Sequence, residues 1–317
     1  MVEVLENWPK KVYLASPRGF CAGVIRAIEA LRKVQELNAD QTVYSYHEII
    51  HNTHVVNDFE ESGVKFVNSV NDVPEGAPLV FSAHGVSPKI IAEAEQRKLL
   101  VVDATCPLVS KTHTEARRFL DEGRTVLYIG HAGHDETEGT LGFAPEVRLI
   151  EKVEDIEKIE VPDPDKVALI TQTTLSMDDA ANIRNSILKR FPNLVEPSRL
   201  DICFATQNRQ DGVKELIKRG SEAIVVCGSP TSSNSTRLKE VALSYGAESF
   251  FVDEVGQLEP KKFNSFKTVG LTSGASAPED KFLEIVEFFK SRGSVIETIV
   301  VTDDENNRTF PLPKNLN

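Results

Sequence analysis

Short apolar runs alternate with amphipathic segments along most of the chain, and this alternation restricts the fold more than any other feature. The runs predict strands that start near residues 42, 64, 78 and 100, then near 125, 147, 167 and 200, and then near 223, 248, 267 and 294. Helical patterns between most of these strands favour mostly parallel sheets, because parallel strands need crossover connections. The sequence therefore predicts an α/β fold of three small, pseudo-equivalent lobes.

The repeating pattern also predicts where these lobes begin and end. The first lobe is expected over residues 22–105 and the second over residues 106–200, while residues 1–21 and 201–317 together form the third. Each boundary falls beside a cysteine. Three lobes that meet at a centre would therefore bring three sulfur atoms together around it.

Three cysteines share one local context, in which a predicted strand precedes the cysteine and a predicted helix follows it. Cys21 comes after the apolar run Val12–Ala15, Cys106 comes after Leu100–Asp103, and Cys203 comes after a short segment that starts near residue 200. A cysteine at the start of a helix lies near the positive end of the helix dipole, which favours the thiolate. The fourth, Cys227, ends an apolar run with no helix start beside it, so we expect an ordinary buried residue.

The spacing of the cysteines indicates which metal chemistry is compatible with them. No two are separated by two residues, which excludes a zinc ribbon and a thioredoxin-type motif. Three thiolates with no fourth nearby suit an iron–sulfur cluster in which one iron has no protein ligand. Such an iron is a Lewis acid with an open position for a substrate oxygen. The alternative is that all four cysteines are small buried residues.

Polar side chains collect where the predicted strands end, which is where ligands bind to parallel sheets. The candidates are His51, His84, His131, His134, Thr173, Thr174, Ser232, Ser233, Asn234 and Ser276. Hydroxyl and amide side chains also cap helices, and a capped helix N-terminus can still hold phosphate oxygens. Neither a P-loop nor a GxGxxG motif is present. Lys89 and Arg209 are the nearest candidate cations.

The sequence alone leaves two hypotheses for the role of Glu136. In a dry pocket beside an anionic ligand its pKa would rise, and it would serve as an acid at neutral pH. Alternatively, it is a solvated acid in a loop. For His131 and Glu138 a structural role is favoured.

The composition excludes several classes of protein. A net charge of -12 disfavours general binding to nucleic acid or to anionic membranes. No apolar run approaches the roughly 20 residues of a membrane span, and the first residues do not resemble a secretory signal. Four cysteines in 317 residues do not form a disulfide scaffold. We therefore expect a reducing compartment such as the cytoplasm.

Nine motifs, in order between about Val12 and Pro278, closely resemble those of the 4-hydroxy-3-methylbut-2-enyl diphosphate reductase family. They are SPRGFCAGV (16–24), HEIIHN (47–52), FSAHGVS (81–87), DATCPLV (103–109), GHAGHDETEGT (130–140), TQTTLS (171–176), DICFATQNRQ (201–210), SSNS (232–235) and GASAP (274–278). Two departures are minor. Asp135 stands where the family commonly has proline, and Cys227 stands where an apolar residue is expected.

The resemblance implies a trilobed α/β fold around one [4Fe–4S] cluster held by Cys21, Cys106 and Cys203. It implies that the substrate hydroxyl binds the open iron and that Glu136 donates a proton. Two electrons and two protons would release water and give isopentenyl and dimethylallyl diphosphate, the last step of the non-mevalonate isoprenoid route. The electrons would come from a ferredoxin- or flavodoxin-type carrier. The implied diphosphate ligands are His51, His84, His134, Thr173 or Thr174, Ser232, Ser233, Asn234 and Ser276.

Two other classes stay open at this point. One is a zinc or iron hydrolase with His131, His134 and Glu136 as ligands. The other is a non-catalytic binding protein for a phosphorylated metabolite, with structural cysteines. The iron and sulfide content of the protein separates the three hypotheses.

Overall fold

The structure is a computed structural model that describes residues 8–199, 201–302, 305 and 308–316. The predicted lobes also include residues 1–7, 200, 303, 304, 306, 307 and 317, which lie outside the described residues. The strands are β1 (Lys11–Ser16), β2 (Tyr44–Tyr46), β3 (Lys65–Val67), β4 (Pro78–Phe81), β5 (Leu100–Asp103), β6 (Thr125–Ile129), β7 (Arg148–Ile150), β8 (Val167–Thr171), β9 (Ala223–Cys227), β10 (Glu248–Val252), β11 (Thr268–Ser273) and β12 (Val295–Val300). The α-helices are α1 (Ala22–Leu37), α2 (Thr53–Glu61), α3 (Pro88–Gln96), α4 (Pro107–Asp121), α5 (Asp135–Phe143), α6 (Met177–Arg190), α7 (Phe204–Lys218), α8 (Ser233–Ser244) and α9 (Glu279–Lys290).

The chain divides into two compact units. The first contains the chain up to Ala22, His51–Val55 and Phe204–Arg308. Its sheet has the strand order β10-β9-β11-β1-β12, and all of its pairs are parallel. Phe282 and Phe289 of α9 pack in one apolar cluster of this unit, and helices α7 and α8 contribute to a second cluster. A sheet with apolar groups on both faces explains why its strands are continuous apolar runs.

The second unit contains Gly23–Ile50, Val56–Cys203 and the chain from Thr309. It holds two parallel sheets, with strand orders β3-β2-β4-β5 and β7-β6-β8. Leu79 and Phe81 are central to the core of the first sheet, while Leu127 and Leu169 belong to the core of the second. The loops that follow β4, β6 and β8 therefore begin at the carboxyl ends of well-packed strands.

The predicted α/β class with three sheets of parallel strands is confirmed. Strands β2–β5 form one sheet, β6–β8 form another, and β1 joins β9–β12 in the third. The boundaries of the three lobes stay a prediction. Within the described residues, no helix is both long enough and apolar enough to cross a membrane.

The strand predicted before Cys203 is wrong for the residues described there. Val195 makes only an isolated bridge to Ala168, and Pro197 cannot donate to a sheet ladder. Asp201 instead accepts a hydrogen bond from the backbone N–H of Thr171 at 3.0 Å and another from Lys111 at 2.6 Å. A side chain, rather than a strand, therefore fastens the segment before Cys203 to the end of β8.

Candidate active site

The three predicted ligand cysteines occupy equivalent positions. Each lies directly before a helix and donates its backbone N–H to a carbonyl two residues beyond the end of a strand. The three bonds run from Cys21 to Ala275 (3.2 Å), from Cys106 to Ala83 (2.9 Å) and from Cys203 to Thr173 (3.0 Å). The repeated pattern seen in the sequence is therefore a repeated backbone geometry.

The three acceptor residues are held in turn through their own N–H groups. Ala83 donates to the carbonyl of Ile49 at 3.1 Å, Thr173 to the Glu136 carboxyl at 2.8 Å, and Ala275 to the side-chain oxygen of Asn234 at 2.9 Å. Glu136 and Asn234 therefore play matching structural parts, since each fixes the peptide that binds a cysteine N–H. Their difference is chemical, because only Glu136 can release a proton.

The donor chemistry of these cysteines fits an iron–sulfur cluster. Cys21, Cys106 and Cys203 are partly exposed, and no disulfide involves any of the four cysteines, all of which are described. Each thiol stands at a helix N-terminus, where a thiolate is stabilised. Cys227 differs, because burial raises its pKa to about 12, and nearby acidic side chains act in the same direction. Its thiol is 1% exposed in the apolar core, as expected.

Glu136 is buried, which shows that its alternative reading as a solvated loop acid is wrong. Only 2% of the residue is exposed. It lies in the first turn of α5, and Thr173 donates to both of its carboxyl oxygens. The backbone N–H is 2.8 Å from Oε1, and the hydroxyl is 2.9 Å from Oε2. The carboxyl therefore has a fixed orientation next to the residue that binds Cys203.

The pKa of Glu136 is raised to about 7, chiefly because burial disfavours the charged carboxylate. The two hydrogen bonds from Thr173 act in the opposite direction, since they stabilise the carboxylate. The negative charge of Asp201 adds to the increase. An acid with this pKa can both donate and accept a proton near neutral pH.

His134 caps the helix that carries Glu136. Its Nδ1 accepts the backbone N–H of Glu136 at 3.1 Å. Because Nδ1 is an acceptor here, the ring proton of neutral His134 is on Nε2. The ring of His84 meets that of His134 edge-on, with 6.1 Å between centroids. Gly85, with φ +82°, turns the chain directly after His84.

Asp135 and His47 extend this cluster. The ring Nδ1 of His47 lies 2.9 Å from Oδ1 of Asp135, while Nδ1 of His84 lies 3.9 Å from Oδ2. Neither Asp135 nor His47 was predicted to have a role in the site. The only signal was position, since His47 directly follows β2 and Asp135 is the first residue of α5, beside His134.

The first unit carries a second polar group. Ser232 is the N-cap of α8 and accepts the backbone N–H of Ser235 at 3.4 Å. The hydroxyl of Ser276 donates to the carbonyl of His51 at 3.1 Å and lies 3.1 Å from the hydroxyl of Ser232. Ser233 is the first residue of α8. These contacts bring Ser232, Ser276 and the backbone of His51 together.

The remaining predicted residues have separate positions. Thr174 accepts a hydrogen bond from the side chain of Gln172 at 3.0 Å. Lys89 is exposed and faces Glu93 at 3.9 Å. Arg209 is fully buried and pairs with Glu305 at 2.7 Å, so its charge is already compensated. Arg209, one of two candidate cations that the sequence did not fix to the site, is therefore occupied by this ion pair.

The ligand set of the hydrolase hypothesis is not assembled. In the part of the chain that the structure describes, His131, His134 and Glu136 do not form a group that could share a metal ion. His134 and Glu136 instead make the capping and carboxyl hydrogen bonds given above.

Parallel sheets, cysteines in three equivalent turns and a buried acid beside one of them define an α/β protein whose candidate reactive groups lie at helix N-termini. The model of the LytB protein family matches residues 12–290. The chain belongs to the LytB family.

Curated relatives of this chain are named 4-hydroxy-3-methylbut-2-enyl diphosphate reductase. The protein from Methylibium petroleiphilum is 49% identical over 307 residues, which cover 96% of this chain and 92% of the relative. The protein from Psychrobacter sp. is 45% identical over 311 residues, with 96% and 97% covered. The predicted family is thus confirmed.

Solved structures agree with the fold. The E-1-hydroxy-2-methyl-but-2-enyl-4-diphosphate reductase from Plasmodium falciparum superposes with a TM-score of 0.93 at 34% identity, over 97% of each chain. A second structure, of (E)-4-hydroxy-3-methyl-but-2-enyl diphosphate reductase, gives a TM-score of 0.61 at 28% identity and covers 89% of this chain and 98% of that one.

Proposed function

We propose that this oxidoreductase is a 4-hydroxy-3-methylbut-2-enyl diphosphate reductase. It removes the allylic hydroxyl as water with two electrons and two protons, and it gives isopentenyl and dimethylallyl diphosphate as the last step of the non-mevalonate isoprenoid route. The names of its relatives support the substrate. The observation that carries the mechanism is the buried carboxyl of Glu136, whose pKa lies near neutrality.

Cys21, Cys106 and Cys203 are proposed to hold one [4Fe–4S] cluster. Their equivalent hydrogen bonds and helix N-termini support this assignment, and the burial of Cys227 removes the fourth thiol as a competitor. When bound, such a cluster supplies electrons and a Lewis-acidic iron with an open coordination position.

Glu136 is proposed to donate the proton that lets the hydroxyl leave as water. An alcohol is a poor leaving group until its oxygen is protonated. At neutral pH a substantial fraction of Glu136 carries its proton, because its pKa is about 7. The Thr173 hydroxyl can accept from the protonated acid and donate to the carboxylate that remains, since a hydroxyl does both. The acid is therefore held in place before and after transfer.

The diphosphate is proposed to bind at helix N-termini and at the side chains that surround them. The N-termini of α5 and α8 provide N–H groups and partial positive charge, which offset the acidic net charge of -12 locally. Nε2–H of His134 is a further donor. The full proposed set is His51, His84, His134, Thr173, Thr174, Ser232, Ser233, Asn234 and Ser276.

The electron donor is proposed to be a small ferredoxin- or flavodoxin-type protein in a reducing compartment such as the cytoplasm. The thiol chemistry supports this location, because cysteine ligands must stay reduced to bind iron.

Turnover of the substrate under anaerobic conditions with a chemical reductant tests the function. We expect both products from the wild-type protein. We expect E136Q to keep its iron and its substrate affinity but to lose at least about 100-fold in kcat, because an amide cannot supply the proton. E138Q is the matched control, since exposed Glu138 lies in the same helix and its carboxyl accepts a 3.3 Å hydrogen bond from the backbone N–H of Gly133. Near-normal turnover by E136Q would remove Glu136 from the mechanism.

A further inference from the structure

We propose that Asp135 and His47 are positioning residues for diphosphate binding. Asp135 orients and polarises the ring of His84, and His47 orients Asp135. This inference rests on the proposed function, because it assigns His84 to the diphosphate. It adds two residues that do not themselves touch the ligand.

His47 has a backbone conformation that residues other than glycine rarely adopt. Its φ is +59°, a conformation that costs energy and persists only where the surrounding structure enforces it. The surroundings do so through three contacts. The N–H of His47 donates to Val67 at 2.9 Å, its carbonyl accepts from the Ser45 hydroxyl at 2.9 Å, and its ring stacks on Tyr46 at 4.3 Å. A residue fixed at such cost indicates a specific task for its side chain.

That task is visible in the hydrogen bond to Asp135. A carboxylate only accepts, so the proton of this 2.9 Å bond is on Nδ1 of His47. The bond ties down Oδ1, and Oδ2 of the same carboxyl lies 3.9 Å from Nδ1 of His84, which also lies 3.4 Å from the hydroxyl of Ser82. The side chains of His84 and Asp135 are only 17% and 21% exposed, so solvent screens this pair incompletely.

A carboxylate facing Nδ1 prepares His84 to bind an anion through its other nitrogen. A neutral ring with its proton on Nδ1 would have only an acceptor at Nε2. The negative charge of Asp135 favours the doubly protonated ring of His84, because a nearby opposite charge stabilises the charged form, and Nε2–H of that ring can donate to a phosphate oxygen. Asp135 therefore increases the affinity for diphosphate although it is itself negatively charged.

The charge of Asp135 should affect diphosphate binding in the direction opposite to that expected from simple electrostatics. By Coulomb's law alone, removing a carboxylate near the site of an anion should strengthen anion binding. If Asp135 instead acts through His84, removing its charge should weaken binding. D135N keeps the size of the side chain and so distinguishes the two cases.

The test measures the dissociation constant of inorganic diphosphate for the anaerobically purified, full-length protein by calorimetry. We expect D135N to bind at least about tenfold more weakly and to raise KM by a similar factor, with a smaller loss in kcat. D121N is the control, because exposed Asp121 ends α4 and pairs with Arg117 at 3.2 Å. Unchanged or tighter binding of diphosphate by D135N would overturn the proposal.

A second pair of variants tests His47. Asparagine and glycine both accept a positive φ, so neither H47N nor H47G adds backbone strain. The Asn side-chain nitrogen can donate from nearly the position of Nδ1, whereas glycine has no donor. We expect H47G to weaken diphosphate binding severalfold and H47N to recover part of the loss. Equal affinities of H47G and the wild type would overturn the role of His47.

The outcomes separate this inference from the proposed function. Wild-type turnover together with normal diphosphate binding by D135N refutes only the positioning role. Absence of both reductase turnover and diphosphate binding in the wild type refutes the function and the inference together.

Discussion

Among single residues, Glu136 shows how burial changes the chemistry of an ordinary acid. Its pKa is raised from a usual value near 4.5 to about 7, so the folded protein holds this proton more tightly than the unfolded chain does. The stabilisation is fully present below the unfolded pKa and is lost as the pH rises through about 7. A shift of this size corresponds to about 3 kcal/mol at most. An amide does not ionise, so the free energy of unfolding of E136Q relative to that of the wild type should be higher above pH 7 than at acidic pH.

The Thr173 hydroxyl should influence the pH at which kcat falls on the alkaline side of its pH profile. Its hydrogen bond to Oε2 stabilises the carboxylate and lowers the pKa of Glu136. T173V removes this bond with little change of shape, so we expect the fall in kcat at high pH to move upward by about 0.5 to 1 unit. T173S keeps the hydroxyl and should keep the wild-type limb. A downward shift in T173V would show that the hydroxyl does not stabilise the carboxylate.

The role of Glu136 could not be decided from sequence because its burial depends on distant residues. Thr173, 37 positions away, provides both hydrogen bonds to the carboxyl. His47 and Asp135 were missed for the same reason, since 88 positions separate them. Residue types at strand ends indicated which segments carry the candidate site, but the pairing of side chains is a product of tertiary structure.

At the level of helices and strands, the alternation of apolar runs was sufficient to predict the parallel sheets. It failed before Cys203, where Asp201 bonds to Thr171 and Lys111 in place of a strand. Apolar periodicity reports burial, and Ile202 is buried without pairing to a sheet. The equivalence of Ala83, Thr173 and Ala275 was also hidden, because it resides in backbone hydrogen bonds rather than in residue types.

Helix α7 should hold the Cys21 loop through Arg209. This buried side chain donates to the carbonyl of Gly19 at 2.7 Å and pairs with Glu305, which is 8% exposed. R209M leaves both groups unsatisfied, and breaking a buried pair costs about 3–5 kcal/mol. We expect a corresponding loss in the free energy of unfolding, measured by denaturant titration, and faster loss of iron.

R184M provides the matched control for R209M. The Arg184–Glu196 pair is partly exposed, and such pairs contribute about 1 kcal/mol or less. Equal losses in R184M and R209M would contradict a special role for Arg209 in holding the Cys21 loop.

For the molecule as a whole, the proposed reactive centre depends on residues that lie far apart in the chain. An acidic protein with a net charge of -12 must bind an anionic ligand through local donors, and the helix N-termini and histidines of the proposed site are the candidates for this role. The central claim is that Cys21, Cys106 and Cys203 together hold one cluster.

Iron and acid-labile sulfide per chain, measured after anaerobic purification, test this claim most directly. The account predicts about four of each in the wild type. It also predicts a large loss in C21S, C106S and C203S, and wild-type amounts in C227S. Full iron and sulfide in any of the first three variants, or their loss in C227S alone, would contradict it.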